Sequence, residues 1–333
     1  MDIFLDILDT LVLDRCYAFL SPDPAAISNG NIPIDANLNR HVGVYYPMQP
    51  SKWAEASLWK RDDIARQALS LYLITWLFAM IMYLLGSLLL YHTVFDKRLL
   101  QHPRFLPNQI KLEINQGISA IPVMALLTVP FFLAEIRGWS KLYDFTSDSP
   151  FLGYTLLQYP LFICFTDSGI YWIHRGLHHP RVYRWLHKPH HKWAVPTPFA
   201  SYAFHPLDGW SQSLPYHVYP LVFPLQKGAY LGLFIFVTIW TILIRESGHP
   251  LETTEWLFTL ILSDDAEYMP TSEVINGASC HTMHHLYFNY NYGQFTTAWD
   301  RLGGTYRKPK GDSFMESQQM GGKRNLEINV IEM

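Results

Sequence analysis

Long uncharged stretches alternate with short polar ones along the chain, and that alternation predicts a helical membrane protein. From Ala68 to Tyr91 no charge interrupts the apolar run. It exceeds the roughly 20 residues that cross a hydrocarbon core about 30 Å thick, and is read as a transmembrane helix. Gly117 to Ala134 is also uncharged but shorter. Pro122 and Pro130 leave open whether it spans with kinks or enters and leaves on one side. Phe151 to Ile173 is a third apolar segment, interrupted by Asp167 and running directly into His174. Residues 214–225 and 229–244 are apolar arms around the turn Gln226-Lys227-Gly228. Both arms are short for a full crossing, so they predict a hairpin that dips in and returns. The expected fold is all-α, an integral membrane protein with about three to four transmembrane or re-entrant helices and a histidine-rich cap.

Outside these stretches, Asp2, Asp6, Asp9 and Asp14 interrupt the apolar residues of the first turns. That pattern suits an amphipathic surface helix and lacks the basic start of a signal peptide. Pro22, Pro24, Asn29-Gly30, Pro33 and Pro47 make residues 21–60 a loop, with Trp53 and Trp59 as interfacial anchors. The expected divisions are 1–60 (N-terminal helix and loop), 61–310 (membrane domain) and 311–333 (polar tail).

Composition agrees with a membrane chain carrying a substantial aqueous part. Of 333 residues 49% are hydrophobic, 15% aromatic and only 16% charged, and the mean hydropathy of +0.03 averages greasy and polar regions. A net charge of −3 with dispersed basic residues excludes a nucleic-acid footprint, and no glycine-rich phosphate loop is present. Cys16, Cys164 and Cys280 are odd in number and unspaced, and no Asn-X-Ser/Thr sequon occurs, which fits polar parts facing a reducing cytosol.

The candidate chemistry is carried by histidines. His174 and His178 are four apart; His187, His190 and His191 follow an i, i+3, i+4 spacing, repeated by His281, His284 and His285. On helices each set faces one way. Three short windows thus hold eight of the 15 histidines, and one metal rarely takes more than four protein nitrogens, so the reading is a dinuclear site. Asp167 is a candidate to hold the free N–H of a ligand histidine, or an ordinary helix-end aspartate. Arg175, Arg181, Arg184, Lys188 and Lys192 accompany the histidines and place them on the cytosolic side. Zinc hydrolysis would call for an HExxH or a carboxylate base, and neither is found; iron couples imidazole ligation to oxygen chemistry.

HRGLHH, HKPHH and HTMHH resemble the three histidine boxes of the fatty acid hydroxylase and sterol desaturase superfamily. The stretches 59–67, 102–114, 167–193, 199–217 and 281–309 are similar to fungal Δ7-sterol 5(6)-desaturases. The resemblance implies a multi-pass endoplasmic reticulum membrane protein with cytosolic boxes, two iron ions, molecular oxygen, and electrons from NAD(P)H through cytochrome b5 and its reductase. It implies a membrane sterol as substrate and a new C5–C6 double bond, in ergosterol synthesis. Carried over, the ligands are His174, His178, His187, His190, His191, His281, His284 and His285. His179 adjoins the first box, and His205 in HPLDG is either a ligand or a structural hydrogen-bonding group. A sterol or fatty acyl hydroxylase of the same superfamily is the runner-up, and a catalytically impaired sterol-binding homologue is the third reading.

One departure stands out. After TIWTILI the relatives continue with His-Asp, whereas here Arg245 begins a segment, 245–264, before Asp265. Arg245-Glu246-Ser247 can be encoded as C|GTGAGT and Ser263-Asp264 as TCAG|AC, so splicing would restore a histidine codon in frame. The segment is read as a retained intron that weakens this form, the alternative being a lineage-specific loop in which His249 replaces the lost histidine.

Overall fold

The computed structural model describes residues 1–24, 51–93, 95, 97–243 and 274–308. The segment 245–264, with Arg245 and His249, and the tail 311–333 lie outside them. Among the described residues helices dominate, and the strands are two-residue pieces. The chain divides into two compact units, Met1–Phe78 with Ala125–Leu142, and Ala79–Met124 with Tyr143–Met333.

Two helices are long and apolar enough to cross a membrane. α3 (Ile64–Thr93) has 30 residues and presents Leu77, Ile81, Leu85 and Leu89 outward. At 1.5 Å per residue it is about 45 Å long. α4 (Gln109–Ile136) has 28 residues and runs without interruption through Pro122 and Pro130. The second apolar segment is therefore a full-length helix, extended at its start by polar residues that the hydropathy pattern alone assigns to solvent.

In the first unit, α1 (Asp2–Leu8), a π-helical turn (Asp9–Leu13) and α2 (Asp14–Leu20) form a nearly continuous N-terminal helix. Its inner face mixes Leu5, Tyr17 and Ala18 with two carboxylates. Leu11, Val12, Phe19 and Leu20 point outward, while Asp9 and Asp14 are buried. The reason is a pair of arginines at the start of α3. Arg66 lies 2.8 Å from Asp9 and 2.6 Å from Asp14, donates to the Trp59 carbonyl and stacks over Tyr17 at 4.5 Å. Arg61 closes the network on Asp14 and Thr10. Removing one partner of a buried ion network leaves an uncompensated charge and costs about 3–5 kcal/mol. Arg66→Met should therefore lower the melting temperature of the detergent-solubilised chain sharply, whereas Arg137→Met, at an exposed position, should leave it nearly unchanged.

The second unit holds the rest. α5 (Tyr154–Leu177) leads through α6 (Pro180–Leu186) into the second histidine box. α7 (Pro206–Val222) packs along α5, with Phe162 against Tyr219 and Gly169 against Pro215. A turn then leads into α8 (Lys227–Leu243), so the two expected arms are helices around the polar turn. α9 (Ala278–Tyr287) carries the third box, and α10 (Ala298–Leu302) follows it. The stretch after the second box is pinned to the first turn of α4. Glu113, fully buried, accepts from the Thr197 hydroxyl and from Gln109, and Gln109 also donates to the Val195 carbonyl at 2.8 Å. Tyr83 and Ser87 of α3 bind the Phe199 and Pro198 carbonyls.

Candidate metal centre

The three boxes converge. α5 ends on His174 and His178, the turn after α6 supplies His187, His190 and His191, and one face of α9 supplies His281, His284 and His285. The ring nitrogens fall into two groups whose members all lie within 4.8 Å of one another, His174 with His178, His187 and His284, and His190 with His281 and His285. His191 sits between them. Its Nε2 is 3.2 Å from that of His178, and its ring centre is 4.7 Å from that of His285.

Their outer nitrogens are held from behind. His174 Nδ1 donates to the Tyr292 carbonyl at 3.0 Å, His284 Nδ1 to the Tyr290 carbonyl at 2.8 Å, and His187 Nδ1 to the Asp208 carboxylate at 2.8 Å. With Nδ1 donating outward, each of the three rings turns Nε2 inward. The His174 and His187 Nε2 atoms are 3.1 Å apart, those of His178 and His284 3.2 Å. Facing lone pairs repel unless a cation lies between them. A proton joins two nitrogens at most, whereas a metal takes four, and imidazole–metal bonds of about 2.0–2.1 Å separate tetrahedral nitrogens by roughly 3.3 Å. The donor set fits metal ions.

Burial disfavours the charged form of three of the rings. It pulls His178 down to about 3, with His187 adding to the effect, and it lowers His191 and His284, where neighbouring imidazoles reinforce it. Because unfolded histidine titrates near 6.5, the unfolded chain binds protons below that pH which the folded cluster refuses. Stability of the metal-free protein is thus fully present above about pH 6.5 and declines as pH falls toward 3. Its melting temperature should be flat above pH 7 and fall steadily below 6.5; a flat acid limb would show that the rings protonate in place.

The fatty acid hydroxylase family matches residues 159–305, which bracket all three boxes. The chain is 55% identical, along its whole length, to a Delta(7)-sterol 5(6)-desaturase of Aspergillus fumigatus, of which it covers 93%. It is 50% identical to a probable Delta(7)-sterol 5(6)-desaturase of Neurospora crassa and 51% identical to a Delta(7)-sterol 5(6)-desaturase of Leptosphaeria maculans. Both alignments take in 96% of this chain and 90% of the relative. The chain belongs to the Delta(7)-sterol 5(6)-desaturase family. No solved structure matches it.

The remaining candidates of this family member lie outside the cluster. His179 is exposed at the N-terminus of α6, where Nδ1 accepts from the Arg181 N–H. His205 does the same for α7, accepting from the Leu207 N–H at 3.2 Å. Among the described residues, Asp167 is bonded to no histidine. It accepts from the backbone N–H groups of Gln294, Phe295 and Thr296, and Asp300 accepts from those of Tyr292 and Gly293. Together they fix the loop whose Tyr290 and Tyr292 carbonyls orient two histidines. Asn291, between those tyrosines, has φ 58, a left-handed conformation that asparagine tolerates better than most residues. Burial pushes the Cys280 thiol up to about 12, so it packs as a neutral group. The carboxylate on a box histidine is Asp208, which sequence reasoning missed although it lies in the HPLDG stretch.

Proposed function

We propose that the protein is an oxygen-dependent sterol desaturase that introduces the C5–C6 double bond into a Δ7-sterol. The convergence of three histidine boxes into two groups carries the reading, in a chain whose full-length relatives bear that activity as their name. His174, His178, His187 and His284 hold one iron and His190, His281 and His285 the other, with His191 between them. Two irons with molecular oxygen supply the oxidant for unactivated C–H bonds. Two sterol hydrogens, one O2, two electrons and two protons leave as two waters. The electrons come from NAD(P)H through cytochrome b5 and its reductase.

The chain's own part is positional. Asp208 fixes His187 in the tautomer that coordinates, and the two carbonyls of the 290–292 loop do the same for His174 and His284. The Trp193 indole, almost fully buried and donating to the Ala203 carbonyl at 3.0 Å, packs with Ala200 and Ala203 two residues beyond the second box. The exposed Arg181, Arg184, Lys188 and Lys192 support a cytosolic cap on a multi-pass protein of the endoplasmic reticulum membrane.

Expression in a yeast lacking its own Δ7-sterol 5(6)-desaturase tests the reading. Accumulated 5,6-saturated Δ7-sterols should give way to ergosterol. A hydroxylated sterol or a 2-hydroxy fatty acid would replace the proposal with a hydroxylase. Residues 245–264 are the retained intron proposed above; a mature transcript without them supports this, and uniform retention overturns it.

A further inference from the structure

α5 and α7 pack antiparallel, Phe162 meeting Tyr219 and Gly169 meeting Pro215. Both have their cluster-side ends at the histidines. α5 runs into His174, and α7 begins beside Asp208, the partner of His187. Between the two helices, leading away from the cluster, lies a cavity of about 490 Å³, within the roughly 300–1,000 Å³ typical of small-molecule sites. We propose that this cavity is the groove in which the sterol lies during the reaction. The proposal rests on the desaturase reading and adds the place, orientation and wall of the substrate.

The chemistry of the wall selects the occupant. Apart from Ser168 and the Cys164 thiol, the α5 side of the groove is apolar, as suits a polycyclic hydrocarbon with a single hydroxyl. Phe165, Tyr219 and Phe223 stand edge to face with ring centres 5.5 and 5.6 Å apart on the Phe165 contacts, forming a stiff aromatic wall along one side. The floor is closed where Gly169 meets Pro215. A Cβ at Gly169 would come within 2.7 Å of the Pro215 ring, so the helices already touch there.

Position sets the orientation. The lining spans Leu161 to Ile173 on α5, about 18 Å at 1.5 Å per residue, and Ile173 adjoins His174. C5 and C6 lie in the ring next to the one bearing the hydroxyl, so the hydroxyl end faces the histidines and the alkyl tail lies toward Leu161 and Phe223. Those two residues are each 37% exposed, and Cys164 is exposed beside them. They form a mouth through which a membrane lipid enters sideways.

The test uses the full, iron-loaded chain in phospholipid nanodiscs and a Δ7-sterol bearing a diazirine on its side chain. Irradiation should place adducts on residues 161–169 and 218–223, and excess unlabelled Δ7-sterol should suppress them about tenfold while palmitate does not. Cys164→Trp, which fills the mouth from an exposed position, should raise KM for the sterol about tenfold at unchanged iron content, and Leu85→Trp on the outward face of α3 should change neither. Competed adducts elsewhere, competition by palmitate, or an unchanged KM in Cys164→Trp overturns the groove. Wild-type chain that converts sterol without labelling α5 and α7 refutes the groove and leaves the desaturase standing. Competed labelling there without conversion does the reverse.

Discussion

Replacing His284 by alanine is expected to abolish sterol conversion and to strip metal from the purified chain. The ring is fully buried, its Nε2 is 3.2 Å from that of His178, and its Nδ1 is tied to the Tyr290 carbonyl at 2.8 Å. An alanine methyl offers no ligand atom, so the group formed with His174, His178 and His187 loses its fourth nitrogen. His92 makes the comparison. It is exposed near the end of α3, far in sequence from every box, and His92→Ala should keep both metal and activity. Metal content by mass spectrometry, read beside sterol turnover in the complemented yeast, separates loss of a ligand from loss of the fold. A His284→Ala chain with full metal and normal product would remove His284 from the centre.

Asp208→Asn should lower metal affinity or turnover about 10–100-fold, the range seen when groups behind metal ligands are changed. The substitution keeps size and removes charge. Asp208 and His187 are both fully buried and 2.8 Å apart, and Gln212 donates to the other carboxylate oxygen at 2.7 Å. An asparagine amide can present N–H toward His187 and drive the ring to the tautomer whose inner nitrogen carries hydrogen. Asp208→Glu, which keeps the charge, should recover part of the loss. Equal defects in both variants would show that packing rather than charge is what matters at this position.

The cluster was legible because its signal is local. Spacings of three and four residues put the third set on one face of α9 and bring the first set together at the end of α5, while the second set gathers in the turn after α6. The residues behind the ligands were harder to read, because each acts on a partner distant in the chain. Asp208 binds a ring 21 residues away, and Asp167 binds a loop 127 to 129 residues away. His179 was a ligand candidate by adjacency and His205, in HPLDG, either a ligand or a structural hydrogen-bonding group; each precedes a proline that opens a helix, where its ring nitrogen takes an orphan N–H. The N-terminal helix misled in the opposite sense. Its aspartates suggested a water-facing side, and only Arg61, ahead of α3, and Arg66, within it, turn Asp9 and Asp14 inward.

The contact between His178 and His284 joins positions 106 residues apart, so in the proposed desaturase a metal held there would be a clasp as well as a catalyst. In the chain-entropy account, permanently closing a loop of about 100 residues removes about 4.7 kcal/mol worth of disorder from the unfolded chain. Metal bound across the boxes would tie the same loop, reversibly. During synthesis the first two boxes emerge together, and the third follows only after the roughly 90 residues that separate His191 from His281 have been made, so until then the nascent chain carries an open half-site. Chelation of the finished protein should reopen that loop, raising its susceptibility to protease between the second and third boxes before the membrane helices yield.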